Sequence, residues 1–306
     1  MSSSTQRSDA AASIRIGISG WRYGPWRGTF YPEDLKQAQE LAYASHQVPT
    51  IEINGTFYSL QRPERFAQWR DATPRGFVFS VKGGRYITHV KRLREPGQSL
   101  ARFFASGMFE LGDKLGPFLW QLPPSLRYDP DLVEAFLKCL PRDTDEAEAL
   151  ARRHDARVAG QPMPPPGPTR SLRHAMEVRH ESFASREFVD MLRHYGVALV
   201  TADTAGKWPL LEDVTADFAY LRLHGDAELY ASGYTPEALR DWARRIRAWS
   251  GGREPRGARR AGGAHATGKP RDVYCYFDND MKVKAPGDAR SLARLLGLPL
   301  APDPPP

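Results

Sequence analysis

The chain has 306 residues, 41% hydrophobic and 26% charged, with a net charge of +7 and a pI near 9.4. That is an ordinary globular composition, long enough for one large α/β barrel or two average domains. No apolar run approaches the roughly 18 residues a membrane span needs, which excludes a membrane partner, and the two cysteines, Cys139 and Cys275, give no disulfide or zinc-ribbon pattern.

Met1 to Ser13 is Ser/Ala-rich without an apolar segment, so a disordered tail is expected rather than a secretory signal, and a cytoplasmic location follows as the default. Ile14 to Ser19 alternates Ile14, Ile16 and Ile18 with Arg15, Gly17 and Ser19, the period of a strand. Residues 33–46 are helix-like. Thr50 to Thr56 is a second strand, with Ile51 and Ile53 opposite Glu52 and Asn54, and Pro63 opens a helix carrying Phe66 and Trp69. Phe77 to Val81 runs into Lys82, and a loop with His89 leads to a helix with Leu100, Phe103 and Phe104. Pro117 to Leu122 is the fourth strand. Asp129-Pro130 is a helix start, an N-cap followed by proline at the first helical position. A further helix is expected over 143–155, then a Pro/Gly loop over 160–170.

His174 to Phe183 reads as a short strand that ends in charge, with Glu177 and Arg179 on one face and Met176 and Val178 on the other. Ser185 caps the next helix and Gly196 stops it. Val197 to Asp203 is the sixth strand, and no helical period follows it before Phe218 to His224, the seventh. Thr235-Pro236 starts a helix with Leu239, Trp242, Ile246 and Trp249. Residues 250–271 form a Gly/Arg-rich stretch holding Arg253, Arg256, Arg259 and Arg260, expected as a solvated insertion. Val273 to Phe277 is the eighth strand, followed by a helix that Asp288 caps and Gly297 ends. Residues 298–306 are a Pro-rich tail.

Repeated β–α units build parallel sheets. Over residues 14–297 they fit one (β/α)₈ TIM-type barrel with an irregular β6–β7 connection. A doubly wound open sheet is the alternative, but Gly17-Ile18-Ser19-Gly20 is not the dinucleotide fingerprint. In such barrels the chemistry sits at the C-terminal ends of the strands. Those ends carry Gly20 and Trp21, then Glu52, Asn54 and Tyr58, Lys82 and His89, Gln121, Glu177 with Arg179 and His180, Asp203, Arg222 with His224, and Asp278 with Asp280. Buried singly, each ionisable group would cost several kcal/mol, so they pair, face water or hold a ligand.

Glu52, Glu177 and His224 are candidate acid/base groups, and Lys82, Arg179 and Arg222 suit a phosphate or carboxylate. Trp21, Tyr58 and Trp208 follow strands and are candidates to line a pocket, whereas Trp69, Trp242 and Trp249 keep helical spacing and belong to a core. His46, His154, His174 and His194 read as surface or packing residues. Glu52, Glu177, Asp203, His224 and Asp278 could also ligate a divalent ion. The three cations in the same mouth favour a metal-free site, and no cofactor is expected.

These residues carry a family resemblance as well. Gly17-Ile18-Ser19-Gly20-Trp21, Glu52-Ile53-Asn54-Gly55-Thr56-Phe57-Tyr58, Gln121-Leu122-Pro123-Pro124, Glu177-Val178-Arg179-His180, Tyr220 to Gly225 and Tyr276-Phe277-Asp278-Asn279 resemble the YecE-like family, domain of unknown function 72. The resemblance implies a TIM-type barrel and no particular activity. Many relatives have paired asparagines where this chain has Asp278-Asn279, which makes its site more acidic.

The expectation is a metal-independent hydrolase, lyase or isomerase acting on a small anionic or sugar-like substrate. Two alternatives stay open: a nucleic-acid-binding or processing protein, suggested by the basic charge, and a non-catalytic ligand-binding barrel. The oligomeric state is not legible.

Overall fold

Side-chain alternation along each strand decides the architecture. In the computed structural model, which describes residues 12–155 and 168–300, eight parallel strands among the described residues close into a barrel in chain order. They are β1 (Ile14–Ser19), β2 (Thr50–Ile53), β3 (Val78–Lys82), β4 (Leu115–Gln121), β5 (His174–Glu177), β6 (Ala198–Asp203), β7 (Phe218–Leu223) and β8 (Asp272–Phe277). β8 pairs back onto β1 and completes the closure. Residues 1–11 and 301–306 of the expected tails, and residues 160–167 of the expected loop, lie outside the described residues.

One phase of each strand faces outward. Ile16, Ile51, Phe79, Trp120, Met176, Leu221 and Cys275 lie in one apolar cluster with helical residues such as Leu41, Phe66, Phe136, Leu192 and Ile246. Full burial of a large side chain of this kind is worth about 1.5–3 kcal/mol. The other phase fills the barrel. Leu119, Ala175, Val200, Phe218 and Tyr274 form its apolar layer. Above them the hydroxyls pair: Thr50 Oγ1 lies 2.9 Å from Tyr276 Oη, and Ser80 Oγ lies 2.7 Å from Tyr220 Oη.

The helices are α1 (Glu40–Gln47), α2 (Gly55–Tyr58), α3 (Pro63–Asp71), α4 (Pro96–Phe104), α5 (Pro130–Lys138), α6 (Thr144–Ala151), α7 (Arg186–Tyr195), α8 (Pro236–Ser250) and α9 (Ala285–Leu296). Asp129, Ser185 and Thr235 cap α5, α7 and α8 with side-chain oxygens, and Gly196 ends α7 in the left-handed region. Two helix expectations are corrected. Residues 33–36 are not helical, and α1 follows a 3₁₀ turn at Gln37–Gln39. Asp288 lies inside α9 rather than capping it, because Pro286 starts that helix earlier. Its carboxylate instead accepts from Tyr234 N at 3.1 Å and Asn279 Nδ2 at 2.8 Å.

The β6–β7 connection holds no helix, as its sequence suggested. Its buried Glu212 and Asp213 clamp the Gly/Arg-rich stretch: Glu212 accepts from Arg259 N, and Asp213 from Ala261 N and Gly262 N, each at 2.8 Å. That stretch leads into the N-terminal end of β8, opposite the strand ends that carry the charged ring. Both tails are better anchored than expected where they are described. Ser13 bonds Asp272 through its N–H and hydroxyl, and Leu298 and Leu300 pack against the core. No helix among the described residues is long and apolar enough to cross a membrane.

Candidate functional site

The floor of the barrel mouth is built around Arg222, which is fully buried near the end of β7. Its Nη2 and Nε donate to the two oxygens of Glu52 at 2.8 and 3.1 Å. Nη1 donates to Glu177 Oε2 at 2.8 Å, and Nη2 reaches Asp278 Oδ2 at 2.9 Å and Ser19 Oγ at 3.1 Å. Glu177 accepts further bonds from Arg179 Nε at 2.7 Å and Gln121 Nε2 at 3.1 Å. Tyr220 Oη donates to Glu52 Oε2 at 2.7 Å. Buried charges are tolerated when they are paired and hydrogen-bonded, and this cluster meets that condition. Burial pushes the Glu177 carboxyl up, but Arg179, Arg222, His224 and Lys82 outweigh it and hold the group well below the usual range. Asp278 is likewise held low against burial, by Arg222 and by His224, whose Nδ1 lies 3.0 Å away.

Above this floor a cavity of about 710 Å³ opens at the C-terminal ends of the strands. Gly20 adopts φ +79° as the chain leaves β1, and a Cβ there would sit 2.7 Å from Tyr23 Oη. Glycine therefore lets Tyr23 pack against the turn. Trp21 and Trp69 meet edge to face at 5.3 Å and form one wall. Tyr58 is 78% exposed and stands at the rim. The cations Arg22, Arg65, Lys82, Arg85 and Arg179 line the same cavity, against two carboxylates, Asp278 and Asp280.

Two lining groups are tuned in opposite directions. Burial, then the Arg222 charge, brings the Lys82 amine down to about 8, against the pull of Glu52, Asp278 and Glu177. Burial, then Asp278, pushes Asp280 up to about 6, with Tyr23 acting against the shift. His89 falls to about 4 through burial and the charges of Lys82, Arg179 and Arg85. Its ring packs edge to face on Phe57 at 5.1 Å.

The expected site residues separate by depth. Gly20, Trp21, Asn54, Tyr58, Lys82, His89, Gln121, Arg179 and Asp278 line the cavity. Glu52, Glu177, Arg222 and His224 are completely buried beneath it. His180 turns away and caps the 3₁₀ turn Glu181–Phe183, accepting from Ser182 N at 3.1 Å. Trp208 stacks under the Arg179 guanidinium at 4.0 Å, and Trp69 belongs to both the core and the cavity wall. Of the five groups considered as metal ligands, Glu52, Glu177 and Asp278 gather on the Arg222 guanidinium rather than on an open position, His224 Nδ1 lies 3.0 Å from Asp278, and Asp203 accepts from Tyr234 Oη at 3.1 Å. Among the described residues no group of three or more His, Cys, Asp or Glu side chains could hold a metal ion. Sequence reasoning placed Asp280 among the strand-end residues without giving it a role, and did not select Arg22, Tyr23, Arg65, Arg85 or Tyr230.

The sequence model of the family described as "Protein of unknown function DUF72" matches residues 15–306. The chain belongs to the DUF72 family. DUF72 relatives of known structure share the fold: a family protein of Thermotoga maritima superposes with a TM-score of 0.67 at 24% identity, covering 93% of this chain and 99% of that one. A second, from Enterococcus faecalis, gives 0.67 at 17% identity, covering 96% and 100%. Among curated sequences the chain is 31% identical over 116 residues to the UPF0759 protein YunF of Bacillus subtilis, which is 36% of this chain and 40% of YunF. It is 31% identical over 110 residues to the UPF0759 protein YecE of Escherichia coli, 36% of this chain and 38% of YecE.

Proposed function

We propose that the mouth of this barrel is an enzyme site for a small anionic substrate, a phosphorylated or carboxylated compound, with proton transfer carried by Lys82 and Asp280. The observation that carries the reading is the pair of oppositely shifted groups lining one cavity, Lys82 near 8 and Asp280 near 6. Pairs whose surroundings drive their pKa values toward neutrality are a mark of acid/base sites. Five lining cations against two carboxylates favour an anion. This reading moves the proton-transfer role away from Glu52 and Glu177. Both are saturated by bonds beneath the cavity, and their work is to hold Arg222, and through Glu177 also Arg179, in fixed positions. Trp21 and Tyr58 offer apolar faces to the rest of the substrate.

A thermal-shift series tests it, with orthophosphate, sugar phosphates, dicarboxylates and short oligonucleotides, each at low and high salt. A ligand specific to the folded state, at a hundred times its Kd, adds about 2.7 kcal/mol. The expected result is a shift with a small anion that Arg179→Ala abolishes. A shift with oligonucleotides alone, erased by salt, would transfer the site to nucleic-acid binding. The Gly/Arg-rich stretch gives that alternative little at this mouth, since it lies at the other end of the barrel.

A further inference from the structure

Lys82 is an amine that the fold buries without a direct ion pair. It is only 9% exposed. Among the described residues its nitrogen makes no hydrogen bond or ion pair, and its contact is the ring face of Phe57, 4.5 Å from the centroid. Burial and the nearby Arg222 charge disfavour the ammonium form, and the Phe57 ring face, which favours a cation, returns only part of what a paired carboxylate would give.

Its attachment is rigid. Thr56 Oγ1 donates to the Lys82 carbonyl at 2.7 Å, and Gly83 N donates to Leu119 O at 2.8 Å. A Cβ on Gly83 would lie 2.3 Å from the Trp120 ring, so the backbone passes here without room to shift. The side chain is thus fixed at its root, lines the cavity and has no competing partner.

We propose that Lys82 forms a covalent imine with a carbonyl substrate whose phosphate or carboxylate is held by Arg179 and Arg85. This rests on the anionic-substrate reading above and narrows it to aldehydes and ketones. The neutral amine attacks the carbonyl carbon, a C–N bond forms, and the carbonyl oxygen takes a proton. That oxygen then leaves as water while the C=N bond forms. Both hydrogens of the amine depart with the oxygen, one water is released, and no oxidant or reductant is needed. Asp280 lines the same cavity, and the two protons that the departing oxygen takes up are balanced by the two the amine gives up. With its amine near 8, about a tenth of Lys82 is neutral at pH 7, against less than about a thousandth of an exposed lysine.

The test traps the imine. The intact protein is incubated at pH 7 with glyoxylate, pyruvate or glycolaldehyde phosphate, reduced with cyanoborohydride, and mapped by peptide mass spectrometry. The expected result is one reduced adduct on the peptide containing Lys82, formed at least tenfold faster than at any other lysine and slowed by orthophosphate. Lys82→Arg, which keeps the charge, and Lys82→Met both lose it. Adducts spread evenly over the lysines, or unchanged in Lys82→Arg, overturn the proposal, as does the absence of a Lys82 adduct with all three probes. The two readings fail separately. An Arg179-dependent thermal shift with orthophosphate but no Lys82 adduct leaves the anion site and removes the imine. Equal labelling of Lys82 by uncharged glycolaldehyde, without any anion shift, keeps the imine and removes the anion requirement.

Discussion

Arg222 and Lys82 are two buried cations in one barrel, and the fold treats them in opposite ways. Arg222 sits in the floor, completely buried, with its nitrogens bonded to Glu52, Glu177, Asp278 and Ser19. Lys82 sits on the wall above it with an aromatic face for company. Neighbouring charges hold Arg222 ionised against burial, while burial and Arg222 itself work to neutralise Lys82. A saturated charge contributes position and potential but has no free atoms for a ligand. An unsaturated one is costly to the fold and is chemically available. The difference separates architecture from reactivity inside a single ring of polar residues.

Removing the floor cation should have the largest effect. Arg222→Met leaves Glu52, Glu177 and Asp278 without their shared partner, and breaking a buried ion cluster in this way costs about 3–5 kcal/mol. Urea unfolding at pH 7 measures it. The sign of the pH dependence follows from the wild-type shifts. Glu177 and Asp278 have depressed folded-state pKa values, so their contribution is complete above about pH 4 and lost as pH falls through the folded values. The gap between variant and wild type should therefore narrow in acid. A loss below about 1 kcal/mol at pH 7 would mean the three acids do not depend on Arg222, and the distinction between floor and wall would collapse.

The wall cation should respond with the opposite sign. Lys82→Met removes a desolvated charge and keeps the aliphatic bulk against Phe57, so it should stabilise the protein at pH 7 by on the order of 1–3 kcal/mol. The folded-state pKa, about 8, lies below the ordinary lysine value. Between about pH 8 and 10 the unfolded chain binds the proton that the folded chain has released, so wild-type stability rises with pH across that window. The gain from Lys82→Met is then full below pH 8 and gone above about pH 10.4. Parallel denaturation at pH 7 and pH 10.5 checks this. Destabilisation at pH 7 would place Lys82 among the saturated groups after all.

The strands were legible because the barrel interior is polar at one end. Alternation of Ile51 and Ile53 with Glu52, or of Leu221 and Leu223 with Arg222, marks the strand and also its inward face. Depth was not legible. Glu52 and Lys82 both belong to strand ends by sequence, yet the register sets Glu52 beside Ser80, one inward step below Lys82. Arg222 stands beside Tyr276, one step below Asp278. That stagger belongs to the closed sheet and leaves no trace in any one strand. Arg85 reaches the cavity from the head of a π-helical turn, Tyr86–Val90, and Tyr230 from a loop, in a left-handed conformation at φ +64° that a sequence pattern does not announce. Asp288 looked like a cap because an acid ahead of an apolar run is the usual signal. Here Pro286 had already begun the helix, and the acid serves Tyr234 and Asn279 instead.

The smallest expected effect belongs to Asp280, and it sharpens the contrast from the acidic side. Its pKa is raised to about 6 by burial and by Asp278. Between about pH 4 and 6 the folded chain therefore keeps a proton that the unfolded chain has lost, and wild-type stability should fall as pH rises through that window. Asp280→Asn removes that slope. It should leave stability unchanged at pH 4 and raise it by about 1–2 kcal/mol at pH 7, the full shift being discounted because the residue keeps some contact with water. Melting temperatures of both proteins from pH 4 to 7 decide the matter. Parallel curves would assign the destabilising charge elsewhere. Curves that meet at pH 4 and separate by pH 6 would show Asp280 to be held, like Lys82, at a cost the fold does not offset, and the two would then stand as an acid and an amine kept reactive on the wall above a saturated floor.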